Sequence, residues 1–199
     1  MVKGRPFTLP GGIMTIRYYL DIQLNAQHDM DVKTKTQVFS NIHRLLKHHG
    51  IKDVALGFPS FGKVNAVGLP GLGEHLRLVS KNQDSLNLIK NNVTHRTLHD
   101  MGIVKFGVVT QVPDDANEVR FYRDQSPGRV KKGIKRRGEP SPGKHYDGID
   151  RESAGLLIQR TDGSKYPIFI GLLPATERVD GAFSTYGLST KSGPTFPNF

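Results

Sequence analysis

The amino-acid sequence predicts an α+β fold whose N-terminal part is a ferredoxin-like βαββαβ domain, the arrangement that RNA-recognition motifs share. Segments that alternate between apolar and polar residues favour strands, and two longer segments with apolar residues three and four positions apart favour helices. Along the first 113 residues they follow the order strand, helix, strand, strand, helix, strand. A basic segment and a β-hairpin pattern come next, and they predict a smaller C-terminal α+β domain with a basic helix.

The predicted domains cover residues 14–113 and 114–199, after a flexible extension over residues 1–13. The extension lacks the apolar stretch of a signal peptide. Met14 directly precedes the first strand pattern and is a candidate alternative start. The chain contains no cysteine, which excludes disulfides and thiolate zinc sites. Together these features favour a cytoplasmic protein.

The first strand is predicted over residues 16–24, and the first helix runs from Asp31, a residue type that caps helices, to the residue before Gly50. The apolar stripe of this helix consists of Val38, Phe39, Ile42, Leu45, Leu46 and His49. His43 lies beside that stripe, so we expect it at the border between core and solvent.

The second half of the ferredoxin-like domain is predicted to hold three strands and one helix. The strands cover residues 53–59, 74–80 and 104–112, and the helix covers residues 82–101. The Gly-rich loop at residues 60–73 contains GLPGLG, but it does not join a strand to a helix. A phosphate-binding loop is therefore not predicted there.

A basic segment, Arg120 to Arg137, carries eight lysines and arginines against a single acid, Asp124. Its first part, with Tyr122 and Arg123, is predicted to be an extended linker, and its second part a short helix that begins near Pro127. On this helix three basic residues share one face: Arg129, Lys132 and Arg136. A cationic helix suits a groove between phosphate strands. The alternative is a solvated charged face or a disordered basic tail.

The C-terminal part contains a β-hairpin pattern, formed by residues 155–163 and 165–173 around the turn Asp162-Gly163. In its first strand Leu157, Gln159 and Thr161 are predicted to point to one side. A short strand and an irregular aromatic tail complete the chain.

The charge of the chain favours a polyanionic partner. The formal net charge is +10, and such an excess binds nucleic acid through release of counterions. We expect no membrane partner, because no segment approaches the roughly 20 apolar residues of a membrane-spanning helix. The aromatic signatures by which RNA-recognition sheets stack bases are absent, so the fold alone does not locate an RNA surface.

Metal catalysis is not predicted. The eight histidines are scattered, and no group of acidic residues resembles a two-metal nuclease site. His95 and His99 are four apart on a predicted helix but lack the HExxH pattern, so we interpret them as surface polar residues. No cofactor is expected.

His43 has two interpretations. It is either a boundary histidine whose ring binds a backbone carbonyl, or a group that moves a proton. RNA carries its own nucleophile, the 2′-hydroxyl, so cleavage needs alignment, a proton acceptor and cations near the phosphate. An imidazole, with an ordinary pKa near 6.5, suits the second task at neutral pH.

Several segments resemble the CRISPR repeat-cleaving endoribonucleases of subtype I-F, the Csy type. YLDIQL is similar to the opening strand of that family, VFSNIHRLL to its catalytic helix and VALGFP to its second strand. RFYRDQSPGRVKKGIKRR resembles its linker and arginine-rich helix, and FSTYGLS with a terminal aromatic residue is the most specific match. The similarity covers most of the chain from Tyr18 onward.

The resemblance implies a metal-independent enzyme that binds the stem-loop of a CRISPR repeat and cuts at the 3′ base of the stem. The product carries a 2′,3′-cyclic phosphate, and the enzyme stays bound within the I-F surveillance complex, whose other subunits are implied partners. The catalytic histidine falls on His43, and Tyr186 matches a tyrosine that orients it. Arg120 matches a base-reading arginine, and Tyr166 an aromatic residue that stacks on the terminal base pair. Two groove-binding arginines fall on Arg136 and Arg137.

The chain departs from the family pattern at three positions. Gln159 stands where family members carry a serine that pairs with the histidine, and the nearest hydroxyl on that face is Thr161. Tyr122 replaces a glutamine that reads a base, and Gly133 replaces a groove-binding arginine. Gln159 can align a 2′-hydroxyl by hydrogen bonding, so we predict activity, with Thr161 as a second candidate for the same task.

The sequence therefore predicts an endoribonuclease that processes precursor CRISPR RNA. A non-cleaving subunit of the same fold that binds RNA hairpins is the first alternative, and it follows if Gln159 has abolished catalysis. A basic ribosome-associated structural protein is the second, and it needs no active-site histidine.

Overall fold

A computed structural model describes residues 15–25, 30–62, 71–125, 153–159 and 162–199. These residues form two antiparallel β-sheets and three helices. The predicted N-terminal extension, the basic helix with Arg129, Lys132, Arg136 and Arg137, and Thr161 lie outside the described residues.

The first sheet confirms the ferredoxin-like prediction. Its main strands are β1 (Tyr18–Leu24), β2 (Ala55–Gly57), β3 (His75–Ser80) and β4 (Val104–Phe106). They lie in the order β2-β3-β1-β4, and a short fifth strand, β5 (Thr110–Gln111), pairs with β1. This is the strand order of a βαββαβ fold, with one helical connection after β1 and another after β3. The predicted continuous strand at residues 104–112 is interrupted, because the pairing with β1 changes register: Ile22 lies opposite Phe106 but Tyr19 lies opposite Thr110, which leaves one extra residue between β4 and β5.

Three helices complete this half of the molecule: α1 (Met30–His48), α2 (Gln83–Lys90) and α3 (Val93–Asp100). The prediction of α1 is confirmed to within one residue at each end. The predicted single helix at residues 82–101 is wrong, since α2 and α3 are separate. The side chain of Asn92 accepts a hydrogen bond from the Thr94 amide at 3.1 Å, and this N-cap starts a new helix. Asparagine is a poor residue for a helix interior for the same reason.

The core beneath the first sheet follows the predicted pattern with two exceptions. Leu20, Ile22 and Leu24 of β1 are buried. So are four residues of the α1 stripe: Val38, Phe39, Ile42 and Leu46. His49 was predicted in that stripe, but it follows the last residue of α1 and is exposed.

His95 is the second exception, because the prediction of a surface residue is wrong. Its side chain is 0% exposed, its Nδ1 lies 2.7 Å from the Ile89 carbonyl, and its ring packs beside Phe106. Burial lowers the pKa of His95, so it is neutral in the fold at neutral pH. The break between α2 and α3 explains the error, since α3 starts anew and turns His95 and Leu98 inward.

The second sheet contains β6 (Asn117–Asp124), β7 (Ser153–Gln159), β8 (Lys165–Ala175) and β9 (Phe196–Asn198), in the order β7-β8-β6-β9. The predicted hairpin is confirmed, with β7 and β8 antiparallel and Gly163 in the turn at a φ of 81°. The stretch predicted as an extended linker is instead a strand, β6. Strand β8 pairs with β6 from Glu118 to Asp124, a partner more than forty residues away that no local pattern predicts.

The two sheets share a continuous hydrophobic core. Phe121 of β6 packs against Phe58, which follows β2, and against Phe196 of β9. The Leu56 amide donates to the Gly187 carbonyl at 2.7 Å and ties the first sheet to the C-terminal loop. The division into domains at residue 113 therefore stays a prediction, since buried residues of both halves contact one another.

Gly187 marks the closest approach between the C-terminal loop and the first sheet. Its φ is 70°, and a Cβ atom there would lie 2.8 Å from the Leu56 Cβ. Gly187→Ala should lower the free energy of unfolding by about 2–4 kcal/mol, which combines the cost of the left-handed conformation with that of overpacking. Gly50→Ala is the control, because Gly50 has a φ of 63° but nothing within 4 Å of a Cβ atom. It should cost only about 1 kcal/mol. Urea titrations of both variants measure the difference, and equal losses would contradict the contact at Leu56.

Candidate active site

His43 lies on α1 at the border of the core, as the sequence predicted. It is one turn from Phe39, which is buried, and its own side chain is half-buried. Helix α1 packs against β7. The loop at residues 184–188 approaches the same face, so the imidazole lies where the two halves of the chain meet.

The hydrogen bond of His43 defines its tautomer. Its Nδ1 atom lies 2.7 Å from the carbonyl oxygen of Thr185. A carbonyl oxygen only accepts hydrogen bonds, so Nδ1 carries the proton. In the neutral ring Nε2 is then the proton acceptor. Both interpretations of His43 are compatible with this contact: a backbone carbonyl binds Nδ1, and Nε2 keeps its lone pair.

The ring of Tyr186 holds the face of the imidazole. The two ring centroids are 4.0 Å apart and the planes differ by 7°. The same tyrosine ring stacks against Phe39 at a centroid distance of 6.3 Å. Two consecutive residues therefore fix the imidazole of His43: the Thr185 carbonyl binds its edge, and the Tyr186 ring covers its face.

The loop that carries Thr185 and Tyr186 is itself closed by hydrogen bonds. The Ser184 hydroxyl donates to the Leu188 carbonyl at 2.8 Å, and the Gly187 amide donates to the Ser184 carbonyl at 2.8 Å. The left-handed conformation of Gly187 completes this tight turn, which a residue with a Cβ atom rarely adopts. The sequence FSTYGLS thus folds into a clamp for one imidazole.

The electrostatic surroundings keep His43 neutral. Burial lowers the pKa of His43, and the positive charges of Lys47 and Arg123 lower it further, while the Thr185 carbonyl opposes them by binding the protonated form. Lys47 is one helical turn from His43 on α1, and the Arg123 guanidinium lies 5.4 Å from the centre of the Tyr186 ring. At neutral pH the ring is a proton acceptor next to two cations.

Tyr166 extends the cluster to the hairpin. It lies on β8 opposite Ile158 of β7, and its hydroxyl oxygen is 2.7 Å from that of Tyr186. Gln159 is the next residue of β7 and pairs through its backbone with Lys165. The end of the hairpin is therefore close to the histidine clamp, and the roles of Gln159 and Thr161 stay predictions.

Two of the predicted RNA-binding residues on β6 are engaged within the protein. Arg120 donates from Nε to the Gly193 carbonyl at 2.8 Å. Tyr122 is 8% exposed, and its ring lies directly over Gly171, where a Cβ atom would be 2.4 Å from the tyrosine Cζ. The ammonium group of Lys191 lies 4.9 Å from the centre of the Tyr122 ring. Base contacts by Arg120 and Tyr122 stay predictions.

Three contributors to this region were not predicted from the sequence, and a fourth, Arg123, was predicted in another role. The Thr185 carbonyl could not be predicted from the sequence, because every residue has a backbone carbonyl. Lys47 was detectable from its spacing of four residues from His43 on a helix. Arg123 was predicted to contact RNA, but its closeness to Tyr186 depends on β6 being a strand. Lys191 lies in a tail that carried no pattern.

Among the described residues, two other kinds of site are absent. No group of three or more histidine, aspartate or glutamate side chains there is placed to hold a metal ion. None of the helices in that part of the chain is long and apolar enough to cross a membrane.

Comparison with known proteins identifies the family. A family model described as "CRISPR-associated protein (Cas_Csy4)" matches residues 19–199. The chain belongs to the Csy4 family. This confirms the resemblance to the CRISPR repeat endoribonucleases, and membership in the Csy4 family supports binding and processing of CRISPR RNA.

The remaining comparisons add less. No similarity in sequence to a curated protein was found. One solved structure, described as "An RAMP protein binding different RNA substrates", is 12% identical to this Csy4-family chain. The match covers 91% of this chain and 99% of the other, with a TM-score of 0.34.

The electrostatics of His43 can be measured directly. An NMR titration of the free protein, with His43 assigned by comparison with His43→Ala, should give a pKa below the ordinary value of 6.5. Lys47→Gln removes one of the charges that disfavour the protonated ring, so it should raise the pKa of His43. Arg44→Gln is the matched control, since it removes an exposed cation whose side chain leaves the same helix in a different direction from that of His43, and it should change the pKa less. A pKa that does not respond to Lys47→Gln would contradict this account.

Proposed function

We propose that this protein cleaves precursor CRISPR RNA at the 3′ base of the repeat stem-loop and stays bound to the product hairpin within the type I-F surveillance complex. The observation that carries the proposal is the state of His43. Its Nδ1–H is committed to the Thr185 carbonyl, its ring is clamped by Tyr186, and its Nε2 is a neutral proton acceptor.

The reaction requires only groups of the protein and the RNA. Nε2 of His43 takes the proton of the 2′-hydroxyl, and the 2′-oxygen attacks the adjacent phosphorus. The bond from phosphorus to the 5′-oxygen breaks, that oxygen takes a proton back from the His43 imidazolium, directly or through solvent, and the other product ends in a 2′,3′-cyclic phosphate. Because the nucleophile comes from the RNA, the step needs no metal ion and no cofactor. A positioned base typically contributes about 10²–10⁴ in rate.

Two further roles are assigned to predicted residues near His43. Gln159 aligns the ribose by hydrogen bonding to its hydroxyl, and Thr161 lies on the same predicted face. Arg123, exposed beside the Tyr186 ring, supplies positive charge where a phosphate would approach the imidazole.

Affinity for the hairpin is assigned to the basic segment. The chain carries a net charge of +10, and eight of its cations lie between Arg120 and Arg137. Arg129, Lys132, Arg136 and Arg137 would contact the groove and its phosphates, and the partly exposed ring of Tyr166 would stack on the terminal base pair. Binding and proton chemistry then depend largely on different residues.

The central test removes the imidazole. His43→Ala should bind the repeat hairpin about as well as the parent protein and fail to cut it, with a loss of at least about 10² in rate. His49→Ala is the control, since His49 is an exposed histidine just beyond the same helix. Single-turnover cleavage in EDTA and a parallel binding titration measure the two properties. A folded His43→Ala protein that cuts at the parental rate would overturn the mechanism. Selective binding without cleavage by the parent would favour a non-cleaving hairpin-binding subunit.

The departure from the family pattern has its own test. If Gln159 aligns the ribose, Gln159→Ala should slow single-turnover cleavage while the dissociation constant for the hairpin stays nearly unchanged. If the alignment of the hairpin is displaced by two residues, Thr161→Ala should show that result instead. Parental rates for both variants would remove this strand from the active site.

A further inference from the structure

The hydroxyl groups of Tyr166 and Tyr186 form a link between the β-hairpin and the catalytic histidine. Their oxygens are 2.7 Å apart, and the Tyr186 ring lies 4.0 Å from the imidazole of His43 with the planes nearly parallel. The three side chains come from β8, the C-terminal loop and α1. These side chains are brought together by the tertiary structure and not by closeness in sequence.

A ring held only by stacking can rotate and slide over its neighbour, because dispersion contacts have little directionality. The Tyr186 ring stacks on His43 and on Phe39, and the hydroxyl bond fixes its tip. Tyr166 is a firm anchor for that tip. It lies within β8, which pairs with β7 over seven residue pairs and with β6 on its other side.

We propose that Tyr166 is a positioning residue for cleavage: its hydroxyl holds the Tyr186 ring, and through it the imidazole of His43, in the orientation that points Nε2 at the RNA. This inference rests on the proposed function. It adds a second task to a residue that the family resemblance links only to base stacking. The ring of Tyr166 is partly exposed, so a base pair stacked on it would also press on the hydroxyl link. Docking of the RNA stem and alignment of the His43 imidazole would then both depend on the Tyr166 side chain.

The geometry ties the Tyr166 hydroxyl to the candidate active site, because its partner is the residue that covers the imidazole. A hydroxyl that only stabilised the fold would affect the folded fraction and leave the rate of bound, folded enzyme unchanged. A hydroxyl that only contacted RNA would change the dissociation constant. The proposed role predicts a change in rate at constant affinity, together with dependence on Tyr186.

The test is a double-mutant cycle with Tyr166→Phe, Tyr186→Phe and the double variant. Each single change keeps the ring and removes one side of a hydrogen bond, so single-turnover cleavage at saturating protein should slow about 3- to 10-fold. Hairpin affinity should stay within about twofold. The double variant should be no slower than the slower single variant, because both changes remove the same bond. Tyr19→Phe is the control, since it removes a hydroxyl from a ring that packs on Phe199 instead, and it should cleave at the parental rate.

The inference can fail separately from the proposed function. In the free protein Tyr166→Phe and Tyr186→Phe should shift the ring-proton NMR signals of His43 to a similar extent, because both loosen the stack. If these signals do not move on Tyr166→Phe, or if the two effects on rate multiply in the double variant, the positioning role is overturned even though the protein cleaves. If the signals move but the parent protein does not cut RNA, the link stands and the proposed cleavage is overturned.

Discussion

The aromatic contacts around Phe121 are the constraint on which the site depends. Phe121 of β6 packs edge-on against Phe58, Phe61 and Phe196, and so joins the second sheet to the first. Gly57 makes room for this packing, since a Cβ atom there would lie 2.3 Å from the Phe196 ring. His43 belongs to the N-terminal half and its clamp to the C-terminal loop, so the imidazole is oriented only when the sheets are docked. Losing a buried aromatic ring here typically costs about 3–5 kcal/mol, and it would remove the geometry of the site as well as stability.

The contact between the two sheets also sets the electrostatic surroundings of His43. A general base must be neutral at neutral pH, yet it must work beside a polyanion, whose approach favours protonation of a nearby imidazole. Partial burial and the charges of Lys47 and Arg123 lower the pKa of His43 and oppose that effect. Those cations also attract phosphate. In the proposed mechanism this lowered pKa keeps Nε2 available as a proton acceptor when the RNA approaches.

The fold was largely predictable because most of its patterns are local. The strands β1 and β3, the helix α1 and the Asp162-Gly163 turn were each predicted from neighbouring residues, and each of these elements is confirmed. The errors have non-local or cap-dependent causes. Asn92 splits a predicted helix by capping a new one, and β6 looked like a linker because its partner β8 follows far along the chain. The position of His43 at the core border was predictable, but the Thr185 carbonyl and the contact between Tyr166 and Tyr186 were not, since both arise only when distant segments meet.

Because β6 is a strand and not the predicted linker, RNA binding and proton transfer are harder to separate at its residues. Successive side chains of a strand point to opposite faces. Arg120 and Tyr122 therefore face Gly193, Gly171 and Lys191, whereas Arg123 approaches the Tyr186 ring. A flexible linker would allow these residues to move independently onto the RNA, but a paired strand fixes their spacing to the active site. In the proposed function Arg123 acts on both the affinity for phosphate and the protonation of His43, so its substitution would not separate the two properties. Replacing His43 or the Tyr166 hydroxyl can, because neither carries the charge that attracts the RNA.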